Sequence, residues 1–299
     1  MGDEFRKVAI LGRHDDARVE EPMNAVARHL TEHGVRVFAA EDNRLDIGAT
    51  IIAEERFCAE VDLVIAIGGD GTMLYAASIV AGSDIPLLGV NRGRLGFLAD
   101  VTPDEMLTSL DHVLAGNYTR DTRLMLEALL VREDGSVARG HALNDVVIVR
   151  RETGRMLDFE TSIAGVYVNT HSGDGLVVST PTGSTAYSLS CGGPIIEPQL
   201  DAIVIVPVCP HTLTDRPIVI PSSQPIDVSL LERDDLSAEI TIDGHSLGEF
   251  RSSDKLTIEA ADNRITFIHP PGYDYFEILR TKLYWGRDIR NRGDRARKS

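Results

Sequence analysis

The chain has 299 residues and a formal net charge of −16, from 46 acidic and 30 basic side chains. Such an excess speaks against a nucleic-acid binder that works by broad phosphate neutralisation, and a polyanionic ligand would need a local site that overcomes the global field. No apolar run reaches the roughly 18 residues of a membrane span, and the charged stretch Met1 to Lys7 lacks the apolar core of an export signal. Cys58, Cys191 and Cys209 lack metal-type spacing. The expectation is a cytoplasmic protein with reduced thiols, no membrane contact and no nucleic-acid partner.

Strand and helix signals alternate through the first third. Val8 to Leu11 is a short apolar run that ends at Gly12. Val19, Met23, Val26, Ala27 and Leu30 repeat at helical spacing, and Gly34 supplies a stop. Val35 to Ala39 predicts a second strand and Ile51 to Glu60 a helix. Val61 to Ile67, apolar except for Asp62, has the composition of a strand buried on both faces of a parallel sheet. Pro86 to Val90 predicts a further strand. Thr102, Pro103 and Glu105 then read as N-cap, first helical position and capping-box acid of a helix that runs to Ala115, with Gly116 as its stop.

The pattern changes near Asn117 to Arg123. Asp134-Gly135 between two apolar runs is a hairpin signal. Strands are predicted at 146–149, 163–168, 176–179, 203–206, 218–220, 228–231, 240–243, 256–260 and 265–268, with one short helix at Ser184 to Ser190 capped by Ser184. The fold expected is an α/β N-terminal domain with a parallel sheet, residues 1–120, followed by an all-β, antiparallel sandwich-like domain, residues 121–272. A helical tail, Phe276 to Tyr284, returns to the first domain. Gly286 to Ser299, with six basic and two acidic residues, reads as a solvated end.

The densest chemical signal is Gly68-Gly69-Asp70-Gly71-Thr72, directly after the buried strand and before a helical stretch, Met73 to Val80. Glycines permit close approach and φ > 0, so backbone N–H groups can converge on a polyphosphate at a helix N-terminus. A carboxylate beside phosphate is repelled by it, so Asp70 suggests work on a hydroxyl or on a divalent cation. A tight strand-to-helix turn with Asp70 as its cap is the plainer alternative. Neither G-x-x-x-x-G-K-[ST] nor G-x-G-x-x-G occurs. No H-E-x-x-H and no G-x-S-x-G appears either.

Gly68 to Thr72 resembles the signature shared by NAD kinases, diacylglycerol and sphingosine kinases and, more distantly, 6-phosphofructokinases. Four further blocks resemble the bacterial NAD kinases in particular: Asn91 to Leu98, Leu143-Asn144-Asp145-Val146, the long run Asp174-Gly175 through Ser179 to Ser190 and Gly192-Gly193-Pro194, and Asp243-Gly244-His245. The resemblance covers Val8 to Tyr284.

It implies transfer of the γ-phosphoryl group of ATP to the 2′-hydroxyl of the adenosine ribose of NAD, giving NADP. Asp70 is then the general base or a metal ligand. Gly68, Gly69, Gly71 and Thr72 hold the ATP phosphates with a divalent cation, Mg2+ being expected. Asn144 and Asp145 suit ribose hydroxyls, although the family usually has Glu at the second position, one methylene longer. Asp174 can accept from the nicotinamide carboxamide, and Arg155 can face a phosphate. Thr182, Thr185, Ala186, Tyr187, Ser188 and Ser190 carry over as ring and ribose contacts, with His245 at the edge. Taken singly, Asn144-Asp145, Asp174-Gly175 and Asp243-Gly244 also read as plain turns, and Tyr187 as core. The resemblance further implies a homodimer or homotetramer; the two-domain layout suggests a site in a cleft between the domains, with ATP or polyphosphate as the donor. A lipid kinase would share only the Gly68 to Thr72 block, and a non-catalytic NAD sensor would have no need of a base at position 70.

Overall fold

The computed structural model describes residues 5–12, 18–41, 45–93, 96–151, 156–231 and 237–284. His14, Arg94, Leu95, Arg155 and the basic end Gly286 to Ser299 lie outside the described residues. The chain forms two compact units. Met1–Met73, Leu87–Arg120 and Ile268–Ser299 make the first; Leu74–Pro86 and Asp121–Phe267 make the second.

The α/β part runs β1 (Lys7–Gly12), α1 (Glu20–Glu32), β2 (Arg36–Ala40), β3 (Thr50–Ile52), α2 (Phe57–Glu60), β4 (Leu63–Gly68), α3 (Asp70–Val80), β5 (Leu87–Asn91) and α4 (Met106–Leu114). These strands pair in parallel in the order β3-β2-β1-β4-β5. Leu63 to Ile67 are wholly buried, which is why β4 reads as an unbroken apolar run. On α1, Met23, Val26, Ala27 and Leu30 face the core, and Gly34 takes φ +76° just past its end. The strand order reverses between β1 and β4. Open α/β sheets bind ligands in the crevice beyond the C-terminal ends of such neighbouring strands, and β4 ends there on Gly68.

Two local expectations need correction here. Residues 51–60 are not one helix: Thr50 to Ile52 pair with β2, a 3-10 turn covers Glu54–Arg56, and only Phe57–Glu60 is α-helical. Edge pairing with β2 prevails over helix propensity. α4 starts at Met106, later than the capping-box pattern predicts. The Thr102 hydroxyl donates to the Glu105 carboxylate (2.8 Å), and the intervening residues form a turn.

The remaining elements are β6 (Thr119–Arg123), β7 (Leu126–Val131), β8 (Val137–Ala142), β9 (Asp145–Arg150), β10 (Leu157–Ile163), β11 (Val166–Gly173), β12 (Gly175–Ser179), α5 (Tyr187–Ser190), β13 (Ala202–Val208), β14 (Ile218–Pro221), β15 (Ile226–Leu230), β16 (Ala238–Ile242), β17 (His245–Phe250), β18 (Lys255–Ala260), β19 (Ile265–His269) and α6 (Tyr275–Lys282). Two antiparallel sheets, β11-β10-β15-β18-β7-β8 and β14-β13-β12-β9-β16-β17, share one core. Leu126, Phe159, Val228 and Ile258 of the first sheet enclose it with Val146, Val178, Ile205 and Ile240 of the second. Asp145 faces Ser179 in the β9–β12 register, which brings the Asn144-Asp145 corner beside the Ser179 to Ser190 run.

Three more readings change in this part. The run 163–168 is a hairpin corner: Ala164 and Gly165 both take positive φ, 49° and 75°, between β10 and β11. An Ala-Gly pair can make that left-handed turn, but its apolar composition disguises it. The helix expected at Ser184 to Ser190 is a 3-10 turn (Thr182–Thr185) and a single α turn (α5), with a break at Ala186, φ −96° and ψ −127°. Ser184 is no cap: its hydroxyl donates to the Pro181 carbonyl (2.6 Å) and accepts from the Ile196 N–H (3.0 Å). Residues 265–268 belong to β19, which with β6 extends the α/β sheet as β5-β19-β6 instead of joining the sandwich. Among the described residues, no helix is long and apolar enough to cross a membrane.

Candidate active site

The Gly68 to Thr72 block joins the end of β4 to the first turn of α3, so Asp70 is the first residue of the helix. A carboxylate there is favoured by the positive end of the helix dipole. The side chain reaches a turn distant in sequence. Its Oδ2 accepts from the N–H of Phe97 (3.0 Å), and its Oδ1 accepts from those of Leu98 (3.0 Å) and Ala99 (3.4 Å). Gly96 makes room for this: a Cβ there would lie 2.2 Å from Asp70 Oδ1. The two blocks separated in the sequence are thus one structure, with the Asp70 carboxylate clamped by main-chain donors.

The glycines of the block act differently from the expectation. None of Gly68, Gly69 and Gly71 has positive φ. Gly68 is needed for space, because a Cβ would fall 2.1 Å from the Thr72 hydroxyl, and Thr72 is buried. Gly69 and Gly71 have no comparable obstruction, and Gly71 is exposed. Bare backbone at the start of α3 is the surface this leaves.

The second cluster is built around the Asn144-Asp145 corner in the second unit. Asp243 takes φ 47° and Gly244 φ 84° in the two-residue turn between β16 and β17. From there the Asp243 carboxylate accepts three successive N–H groups: Leu143 (2.8 Å), Asn144 (2.8 Å) and Asp145 (3.1 Å). The Ser179 to Ser190 run holds the other side of the corner. Thr180 N–H donates to the Asn144 carbonyl (2.9 Å) and Thr180 Oγ1 to the Leu143 carbonyl (2.6 Å). Gly183 packs so closely that a Cβ would lie 2.2 Å from the Asn144 carbonyl oxygen.

Asn144, Asp145, Ala186, Tyr187, Asp243 and Gly244 line a cavity of about 450 Å3, floored by Val147, Val149, Thr241 and Leu74 of α3. Tyr187 is 42% exposed, so it is a wall of this cavity instead of core. Burial, with the nearby Asp243 carboxylate as second cause, pushes the Asp145 carboxyl up to about 7. Burial also raises Asp243, against the pull of its three N–H donors and of His245. Three N–H donors oppose the effect of burial at Asp243, whereas at Asp145 burial and the neighbouring carboxylate act in the same direction.

The other expected site residues are dispersed. Thr182 is buried and receives a hydrogen bond from Arg123 Nη1 (3.4 Å), beside the buried Arg123–Asp121 ion pair. The Thr185 hydroxyl donates to the Thr182 carbonyl (3.3 Å). Ser188 is buried and its hydroxyl has no partner among the described residues, whereas Ser190 is exposed. Asp174, half-buried, pairs with Arg150 Nε at 3.1 Å. His245 is exposed at the start of β17. None of these residues lines the cavity that holds Tyr187.

Sequence reasoning gave no role to Gly96, Leu74 or Asp243. The Asp243-Gly244 pair signals a turn, and no local pattern says that its carboxylate will cap a corner in another strand. Among the described residues, His29, His33 and Asp111 form the one group of three ligating side chains within 4.8 Å of one another.

Comparison with known proteins gives one consistent result. Residues 8–118 match the family model described as the ATP-NAD kinase N-terminal domain, and residues 143–270 match the ATP-NAD kinase C-terminal domain. The chain is 40% identical over 289 residues to a protein named NAD kinase from Aromatoleum aromaticum, covering 95% of this chain and 96% of that one. A protein of the same name from an Azoarcus species is also 40% identical over 289 residues, 95% of this chain and 98% of its own. The fold is that of yeast NADH kinase, solved in complex with NADH: TM-score 0.88, 24% identity, 96% of this chain and 89% of that one. An Archaeoglobus fulgidus NAD kinase solved in complex with ATP gives TM-score 0.72 at 24% identity over 93% of this chain and 98% of that one.

Proposed function

Because the chain belongs to the NAD kinase family, a family of phosphotransferases, we propose that it moves the γ-phosphoryl group of ATP to the 2′-hydroxyl of the adenosine ribose of NAD, with Asp70 as general base. The observation that carries this reading is the clamped Asp70 carboxylate at the C-terminal end of β4. An ionised carboxylate offers about four acceptor positions. Three are taken by Phe97, Leu98 and Ala99, so one remains for a substrate hydroxyl, and the clamp fixes its direction.

The chemistry balances simply. The ribose oxygen forms a bond to the γ-phosphorus, its proton passes to Asp70, and ADP leaves with the electrons of the broken bond. A positioned base contributes about 10²–10⁴-fold. Alignment and charge neutralisation supply the rest, since phosphoryl transfer asks little covalent chemistry of the protein. The bare backbone of Gly69 to Gly71 at the start of α3 faces the phosphates. A Mg2+ ion, when bound, supplies further neutralisation of phosphate charge.

On this reading Asn144 and Asp145 bond ribose hydroxyls, and Ala186 and Tyr187 leave a slot for a ring. Asp174 accepts from the carboxamide. Thr182 and Thr185 support the 3-10 turn beneath, and Ser188, Ser190, His245 and Arg155 complete the NAD contacts. The enzyme works in the cytoplasm as a homodimer or homotetramer, with polyphosphate as an alternative donor.

The test is incubation with ATP, Mg2+ and NAD, followed by an NADP-specific dehydrogenase assay. NADP and ADP should appear in equal amounts. Tight NAD binding without NADP would replace the kinase with a sensor, and phosphorylation of diacylglycerol in place of NAD would make it a lipid kinase.

A further inference from the structure

A separate group of chemistry-bearing side chains lies within the first unit, where α1 meets α4. His29 and His33 stand one turn apart on the end of α1, with ring centroids 4.4 Å apart. Both direct Nε2 at the same atom, Oδ1 of Asp111 on α4, at 2.8 Å from His29 and 3.7 Å from His33. His33 Nδ1 lies 2.8 Å from the main-chain carbonyl of His29. A carbonyl only accepts, so Nδ1 carries the hydrogen, and Nε2 of the neutral ring is a lone pair aimed at a carboxylate oxygen. At 3.7 Å the pair is too far apart for a direct hydrogen bond, and the gap between nitrogen and carboxylate oxygen has room for a cation.

The donor set suits the cation. Two imidazoles and a carboxylate are the ligands of zinc-class ions, and a distal ring nitrogen bound to a backbone carbonyl is the usual device that orients such an imidazole. Ligands at about 2.0–2.1 Å from a tetrahedral ion lie about 3.3 Å from one another. The two separations, 2.8 and 3.7 Å, bracket that value, so small rotations admit the ion. The side chains are 15%, 34% and 54% exposed, which gives an entry path and a fourth position for water. We propose that His29, His33 and Asp111 bind one zinc-class divalent cation that ties α1 to α4, distinct from the Mg2+ that accompanies the nucleotide. Nitrogen ligands and a small ligand number select against Mg2+, which prefers six oxygens.

The test uses the full chain without an affinity tag, its thiols alkylated, and Co2+ as probe in equilibrium dialysis with visible spectroscopy. One equivalent should bind with the ligand-field bands of a low-coordinate nitrogen–oxygen site, and millimolar Mg2+ should not displace it. His33→Ala and Asp111→Asn should each weaken binding by about tenfold or more, while their NAD phosphorylation stays at the parental level. Zn2+ should raise the melting temperature of the parent and leave that of His33→Ala unmoved. Sub-stoichiometric uptake by the parent, or equal uptake by parent and variants, would overturn the site.

Discussion

The carboxyl pair at the Asn144-Asp145 corner makes folding stability depend on pH in a way that can be worked out in advance. Asp145 sits at about 7 in the folded chain against 3.8 for the free side chain, because it is buried and faces Asp243. Between those values the folded state holds a proton that the unfolded state has lost. The contribution of the protonated group is therefore complete below pH 3.8 and drains away as pH rises through 7. Linkage between these two values gives a loss of about 2.5 kcal/mol from pH 5 to pH 8. Asp145→Asn has nothing to ionise and lacks this term. Urea unfolding of parent and variant at both pH values gives the difference between them. That difference should shift in favour of the variant by about 2.5 kcal/mol on going from pH 5 to pH 8. A difference that stays constant within about 0.5 kcal/mol would mean that Asp145 ionises normally, and the reading of the pair would be wrong.

Three other substitutions test the clamp and the corner. Asp70→Asn places an amide NH2 against one of the N–H donors at 97–99, so stability should fall by about 2 kcal/mol, or several degrees in melting temperature. Its kcat should fall by about 10²–10⁴-fold, with no change in the Mg2+ concentration needed for half-maximal rate; an altered Mg2+ requirement would instead make Asp70 a metal ligand. Gly96→Ala drives a Cβ to 2.2 Å from Asp70 Oδ1, and the flexible end of Asp70 must yield. Circular dichroism should report a folded chain, with turnover reduced nearly as far as in Asp70→Asn. Asp243→Ala strips the acceptor from Leu143, Asn144 and Asp145 N–H groups. Stability should drop by about 2–4 kcal/mol, and the KM for NAD should rise more than the KM for ATP.

Much of the fold was written in local patterns. β4 is recognisable because both faces of the strand are buried, and α1 because its apolar residues fall on one face and a glycine ends it. Errors arose where tertiary pairing overruled local preference. Residues 50–52 became an edge strand because β2 offered open hydrogen bonds, and Ile265–His269 joined the α/β sheet although its sequence resembles any sandwich strand. The corner at Ala164 was invisible because alanine seldom takes φ 49°.

For the site, the motif blocks marked the right segments but not their partnership. The bond between Asp70 and the 97–99 turn, and the one between Asp243 and the 143–145 corner, join residues far apart in the chain. The spacing of either block contains no trace of them. The role of glycine was legible only in part: Gly68 and Gly96 are required by what lies opposite their missing side chains, not by an unusual backbone angle.

The most direct measurement is a crystal structure of the protein with NAD. The account predicts the adenosine 2′-hydroxyl oxygen within hydrogen-bond reach, about 2.6–3.2 Å, of an Asp70 carboxylate oxygen that still accepts from the 97–99 turn. A 2′-hydroxyl bound instead to Asp145 or Asp243, with only main-chain donors around Asp70, would contradict it.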